Sequence, residues 1–599
     1  MEPNINLMKP DSAIVKYIAV ASVLLLIFTV IIPSLGVSFG LFNLIFLAVW
    51  YLFRKEKPGE RCIKYIVGGI VLGNAFLCIY MHFQNFIPFW DYAGYYKETL
   101  RSGALLEENI PAFFRALYES MLTSDYTLLP TLFIAPLLRL LGGSFTVYIF
   151  LIYNAFLVPF FILFGILVND INRKCVPLMF LFTPFVSPAL RGYLDGEGLL
   201  YVAVWLFLIH RRTFRKLSVK EDIILGVLSV LMIFTRRWYL FFLVGAFLAL
   251  ALSGLVRRAY DKRFDLKILF QNLLYVGGTV LLIIVVFFTP YLIRLLKNDM
   301  AEAYSAYMFG SFWWNVKYFI RYYGFLPMLF YALGFVGLRR RRFRQLTLFL
   351  LFHIPIMFFL FTRIQTVSYH HQYLFAAEMF LLAAVGIASL PKYNSKVLIA
   401  FAVTLSLSFV YIYVPSSTDF LRNVFSSVRF APKTMETEGV IALRDKLNAL
   451  VEAEGGNVYV LASSETLNDD MLNNSLLPKS EAGVPSLLGT NHVDKRDGMP
   501  NHLFVSKFIV VADPVQVHLG TENQQVVDYF AREILDGTFT PNLERIESIP
   551  ITREVTAHIY RRNSGFTEEF LNRTQAHFAS LYPALGDRFA VDFVWSQNN

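Results

Sequence analysis

The chain has 599 residues, of which 56% are hydrophobic, 16% aromatic and only 16% charged. Soluble domains carry about a quarter charged residues, so the composition excludes a protein built wholly for water. The net charge of +10 does not mark a nucleic-acid binder, because the basic residues cluster in short loops between apolar runs, which is a membrane-topology signal.

Apolar runs long enough to cross a hydrocarbon core, about 20 residues each, recur through the first two-thirds of the chain. The first follows Lys9 and Lys16 without a small-residue cleavage site, so it is expected to be a retained span and not a signal peptide. Spans at roughly 15–34 and 38–53 form an N-terminal hairpin within residues 1–60. A basic loop with Arg54, Lys55, Lys57, Arg61 and Lys64 follows, and a third span at about 63–83 leads to the stretch NFIPFWDYAGYYKE, residues 85–98. With the basic loop in the cytoplasm, this stretch and its Asp91 lie outside.

Residues 85–143 are too polar and broken for a plain span. The runs 110–122 and 127–141 are expected to be helices lying along the outer surface, with apolar faces in the membrane interface. Spans then follow at about 145–168, 175–189, 199–210, 222–235, 239–256, 268–292, 325–338, 346–361, 373–389 and 397–414. This count places the clusters Arg211–Lys220, Arg257–Lys267 and Arg339–Arg344 inside. It leaves RGYLDGEG (191–198), Arg236–Arg237, the Tyr- and Trp-rich loop 294–324 and TVSYHHQY (366–373) outside. The expected fold is a polytopic α-helical membrane protein of about thirteen spans, with the core module at 61–414. An extracytoplasmic α/β domain is expected at 415–599, where NVYVLAS (457–463), KFIVVAD (507–513) and Arg553–Arg562 have the pattern of strands and 523–537 that of a helix ending at Gly537. Cys62, Cys78 and Cys175 lie in or beside apolar runs and have neither metal-ligand spacing nor a disulfide framework.

Four groups meet on the outer side of this topology. Asp91 sits among Trp90, Tyr92 and Tyr95; Asp195 and Glu197 lie in the glycine-rich second loop. Arg191, Arg236, Arg237 and Arg363 supply cations, and His370, His371 and Tyr373 occupy a late loop. Arginine on the outer side of a span opposes the usual charge bias, so it calls for an anionic partner, either a lipid head group or a bound phosphate. Adjacent histidines rarely converge on one metal ion, and no metal ligands are assigned. Carboxylates with arginines at a membrane surface suit transfer of a sugar from a lipid phosphate. A carboxylate takes the proton of an acceptor hydroxyl, and the phosphate leaving group needs cations more than a proton donor.

An acidic motif in the first outer loop, surface helices, two spans and a second acidic loop resemble the GT-C superfamily of membrane glycosyltransferases. More narrowly, the chain is similar to the bacterial protein-mannosyltransferase-like and aminoarabinose-transferase-like branch that uses polyprenyl-phosphate sugars. The resemblance spans roughly 60–420 and rests on WDYAGYY, RGYLDGEG and SYHHQYL. It implies Asp91 as base, Asp195 as an assisting or metal-binding acid, and Arg236 or Arg237 at the lipid phosphate. The chain departs from that pattern in its two leading spans, in His-His-Gln-Tyr where an Arg-Tyr pair is expected, and in its C-terminal domain.

The expectation is therefore an inverting glycosyltransferase of a bacterial cytoplasmic membrane with a cytoplasmic N-terminus. It would pass a sugar from a polyprenyl-phosphate donor to a cell-envelope glycan on the outer face. Catalysis would use Asp91, Asp195 and Glu197, the donor phosphate would meet Arg191, Arg236, Arg237 and Arg363, and Trp90, Tyr92, Tyr95, His370, His371 and Tyr373 would contact substrate. No cofactor is assigned, although a divalent cation is compatible with the chemistry. The alternatives are a flippase or transporter, or a polymerase or ligase, of lipid-linked glycans.

Overall fold

In the computed structural model the described residues are 12–124, 126–212, 217–262, 264–297, 300–415, 421–474, 487–539 and 543–592. Among them the chain is mostly helical, and seven helices are long and apolar enough to cross a membrane. They are Pro33–Phe53, Glu60–His82, Phe145–Cys175, Tyr239–Tyr260, Leu266–Phe287, Arg344–Phe361 and Asn394–Tyr413. Phe312–Tyr323 and Phe325–Arg339 together add an eighth if a 95° bend is counted as one broken span. The basic residues 215, 216 and 263 lie outside the described residues.

Several expected spans take other forms. The stretch 175–189 is no regular helix but a string of short 3₁₀ turns. Pro177, Pro184 and Pro188 remove backbone donors that a continuous α-helix would need. Irregular backbone survives at membrane depth only where protein covers it, and residues 182–189 are buried throughout. Helix Leu129–Leu140 corrects the surface-helix expectation for 127–141. Nine of its residues are buried, and its Leu132 carbonyl accepts the Ser38 hydroxyl at 2.5 Å. Its neighbour Ile110–Thr123 does keep the expected amphipathic pattern, burying Phe113 and Leu117 while exposing Phe114 and Tyr118.

One end of the bundle is stitched by ions. Arg54 meets Glu221 at 3.5 Å, Glu56 meets Arg211 at 2.5 Å, and Asp170 takes both Arg211 at 3.3 Å and Arg342 at 2.9 Å. Three of the expected inner loops, those of Arg54, Arg211 and Arg342, therefore share that end with Asp170. Among the described residues, an ionisable pair also lies deep between helices. Glu378 pairs with His353 Nδ1, and His353 Nε2 meets the Phe242 carbonyl at 2.8 Å.

The C-terminal part folds around a five-stranded sheet, β1 (Val458–Leu461), β2 (Leu487–Leu488), β3 (Phe508–Asp513), β4 (Leu543–Pro550) and β5 (Thr556–Arg562), in the order β2-β1-β3-β5-β4. β1 runs parallel to β2 and β3, while β5 is antiparallel to both β3 and β4. Alternate strand residues point to opposite faces. Val458, Val460, Phe508 and Val510 join one core, while Tyr459, Leu461, Ile509 and Val511 pack with Phe530 and Phe578 in another. Burial on both faces explains why these strands are continuous apolar runs.

This domain is tied to the bundle through the first outer stretch. Asn85 N–H donates to the Lys433 carbonyl at 2.8 Å, Met435 N–H donates back to the Asn85 carbonyl at 2.9 Å, and Asn474 reaches the Pro88 carbonyl at 3.3 Å.

Candidate functional site

Where the bundle meets the C-terminal domain lies a cavity of about 1010 Å³. Its floor is built by Trp90, Asp91 and Tyr95 at the start of helix Trp90–Glu108, by Tyr126, and by Arg236–Trp238 between helices Val219–Thr235 and Tyr239–Tyr260. The loop 364–371 adds Ser368, Tyr369, His370 and His371, and the C-terminal domain adds Glu465, Asp470, His492, Arg496, Asp497 and His518.

Asp91 occupies the first turn of its helix, where the positive end of the helix dipole favours a carboxylate. Its Oδ1 accepts the Tyr126 hydroxyl at 2.8 Å. The preceding Trp90 adopts φ 53°, a left-handed conformation that is costly for a bulky side chain and that concentrates at functional sites. Two contacts with the other domain hold it: its N–H donates to Asp470 Oδ2 at 2.9 Å, and its ring lies 4.6 Å from that of His518.

Arg236 enters the cavity from behind. Its Nε donates to Asp195 Oδ1 at 2.5 Å, and its guanidinium lies over the rings of Tyr126 at 4.5 Å and Tyr95 at 5.1 Å. Asp195 is fully buried; burial pushes its carboxyl up from the ordinary range while the Arg236 charge opposes the shift. Arg237 also lines the cavity, 5.0 Å from the Tyr291 ring. These aromatic faces keep the guanidinium groups oriented without neutralising them.

His370 stacks on Tyr193 at 4.6 Å, and Tyr193 shares a 2.8 Å hydrogen bond with Tyr369. The Ser368 N–H donates to His371 Nδ1 at 3.1 Å, which leaves that ring's proton on Nε2. Burial holds both histidines well below their ordinary value, so they are neutral donors and acceptors, not additional cations.

The cavity thus brings together Trp90, Asp91, Tyr95, Arg236, Arg237, His370 and His371. Asp195 reaches it only through Arg236. Glu197 lies deeper, accepting the Tyr201 hydroxyl at 3.0 Å, with burial pushing its carboxyl up to about 8. Arg191 is committed elsewhere, donating to Gln84 and to the Ala431 carbonyl at 3.0 Å each. Arg363 is exposed and lies 5.6 Å from the Phe359 ring. Tyr92 packs against Phe89 and Tyr193, and Tyr373 is buried beside Gly196.

The residues that sequence reasoning missed are Tyr126, which falls between the two runs assigned to surface helices, and the whole contribution of the C-terminal domain. The acid pair in LNDDMLNN (467–474) is the one local feature there that stands out from ordinary strand and helix pattern, and by itself it does not place the pair in the cavity.

No protein-family model matches this chain, and no curated protein matches it at a significant level.

Proposed function

We propose that the protein is a membrane glycosyltransferase of GT-C type, with about thirteen spans, that transfers a sugar from a polyprenyl phosphate to a cell-envelope glycan on the outer face of a bacterial cytoplasmic membrane. One observation carries this reading: a single cavity holds a helix-N-terminal carboxylate, Asp91, facing two arginines, Arg236 and Arg237, across a lining of aromatic rings. Aromatic faces suit the C–H surface of a sugar ring, and the arginines suit a phosphate. On one side the lining turns apolar with Leu240, Phe241, Leu295 and Phe309. Phe309 is 54% exposed, which offers a polyprenyl chain an entry from the lipid.

In the proposed step an acceptor hydroxyl oxygen attacks the anomeric carbon, and Asp91 takes the hydroxyl proton. The bond from the anomeric carbon to the phosphate oxygen breaks, its electron pair staying on the phosphate. Arg236 and Arg237 stabilise the charge that develops there, and configuration inverts in this single displacement. Asp195 acts as a positioning residue that aims Arg236. Transfer assays on the purified protein in nanodiscs, with a panel of polyprenyl-phosphate sugars and envelope glycans, test this. Inverted product is expected. Retention of anomeric configuration would defeat the single displacement, and lipid flipping without transfer would defeat the enzyme reading in favour of a flippase.

A further inference from the structure

A second chemical centre lies against the cavity, in the C-terminal domain. Asp469 and Asp470 open a short helix, Asp469–Asn474, and His492 faces them from the segment after β2. One oxygen or ring nitrogen from each of the three lies within 4.8 Å of the others. Each carboxylate has its Oδ2 held by a backbone N–H, Thr490 on Asp469 and Trp90 on Asp470, both at 2.9 Å.

Asp469 is buried, and its Oδ1 lies 2.9 Å from His492 Nε2 as an ion pair. Asp469 and Asp470 thus share one imidazole, an excess of carboxylate that a cation would meet. Two ligands on one first-row cation at bond lengths of about 2.1 Å lie roughly 3.0 Å apart at right angles and about 3.4 Å apart in a tetrahedron, so the 2.9 Å pair would open only slightly to hold one. The other ring nitrogen, His492 Nδ1, is 2.7 Å from the Ser463 hydroxyl. Ser463 is in turn fixed by Gln524 Nε2 at 3.1 Å. Such an outer partner is what orients a ligating imidazole.

We propose that Asp469, Asp470 and His492 bind one divalent first-row cation. An imidazole with two carboxylates selects Zn²⁺ or Mn²⁺ over Ca²⁺ or Mg²⁺. Asp470 and His492 both line the cavity, so the ion's remaining positions face its contents and would accept an anionic oxygen. Binding of the ion does not depend on the proposed transferase activity; its use as a phosphate anchor does rest on that reading. The ion would also cement the two parts of the molecule, because Asp470 carries the Trp90 N–H.

The test uses the full-length protein without a histidine tag, in nanodiscs, stripped with chelator and dialysed against Zn²⁺ or Mn²⁺. Metal analysis is expected to find one ion per chain. Retention should fall in His492→Gln and Asp469→Asn by at least the ~10–100-fold that losing an outer partner alone costs, and should persist in His518→Gln. Spin-echo spectra of the Mn²⁺ form should show one imidazole nitrogen, absent from His492→Gln. The wild-type spectrum alone keeps the test decisive should a variant misfold. No retained ion in the wild type with either metal, or full retention in both ligand variants, would overturn the proposal. The metal count is independent of sugar transfer, so failure of one leaves the other standing.

Discussion

The Asp470 carboxylate accepts the backbone N–H of Trp90, joining residues 380 positions apart in the chain at 2.9 Å. Trp90 precedes Asp91 and carries the left-handed backbone that sets the helix start. The C-terminal domain is therefore a structural part of the site, not an appendage to the bundle.

Removing that acceptor has a measurable cost. A hydrogen bond to a charged group contributes about 1.5–3 kcal/mol, so Asp470→Ala should lower unfolding stability by that order and reduce transfer. Asp470→Asn keeps an oxygen for the Trp90 N–H and should recover most of the stability. Thermal unfolding of the two variants in nanodiscs checks this, and equal destabilisation by both would count against it.

The two arginines are expected to behave differently. Arg237→Gln should raise the donor KM about tenfold or more, the loss of one charge-assisted contact, with little change in melting temperature. Asp195→Ala leaves Arg236 buried without its counter-ion and should destabilise by about 3–5 kcal/mol. Steady-state kinetics with a polyprenyl-phosphate sugar, set beside melting curves, separates the two effects.

Glu197 sets a pH dependence of stability. Its carboxyl is raised from 4.5 to about 8 by burial, so the folded protein keeps a proton that the unfolded chain gives up. Below pH 4.5 both states are protonated and nothing is lost. Between there and about 8 the unfolded chain is favoured progressively, after which the penalty is constant. Glu197→Gln should match wild type at acid pH and become the more stable protein as pH rises through that window. Melting curves across pH check this; a gap that closes with rising pH would contradict it.

Gly324 separates the two helices of the 95° bend. It has φ 85°, and a Cβ there would lie 2.0 Å from the Phe425 carbonyl oxygen. Gly324→Ala should destabilise by well over ~1 kcal/mol, seen as a lower melting temperature and poorer recovery of folded protein.

Much of the bundle was legible because hydrocarbon imposes length and composition on what crosses it. The runs at 63–83, 239–256, 346–361 and 397–414 correspond to helices Glu60–His82, Tyr239–Tyr260, Arg344–Phe361 and Asn394–Tyr413. The apolar strands β1 and β3 were legible for the same kind of reason, burial on both faces. Helix Leu129–Leu140 was not, because an apolar helix buried in protein has the same composition as one facing lipid. The turns at 173–197 were obscured by equally apolar residues, although three prolines marked them. In the cavity, Asp91 stood out as an acid among aromatics, and the Arg236–Arg237 pair as charge on the unexpected side. Asp470, His492 and Tyr126 reach the same space through tertiary contacts that no local pattern encodes. Arg191 and Glu197 show the converse: suggestive in a loop, they are bonded away from the cavity.

The measurement that bears most directly on the central claim is sugar transfer by Asp91→Asn. The substitution keeps an oxygen for the Tyr126 hydroxyl and removes only the basicity. The account predicts that kcat falls by about 10²–10⁴ while the melting temperature stays at the wild-type value. Undiminished transfer by a folded Asp91→Asn protein would remove Asp91 from the chemistry and contradict the account.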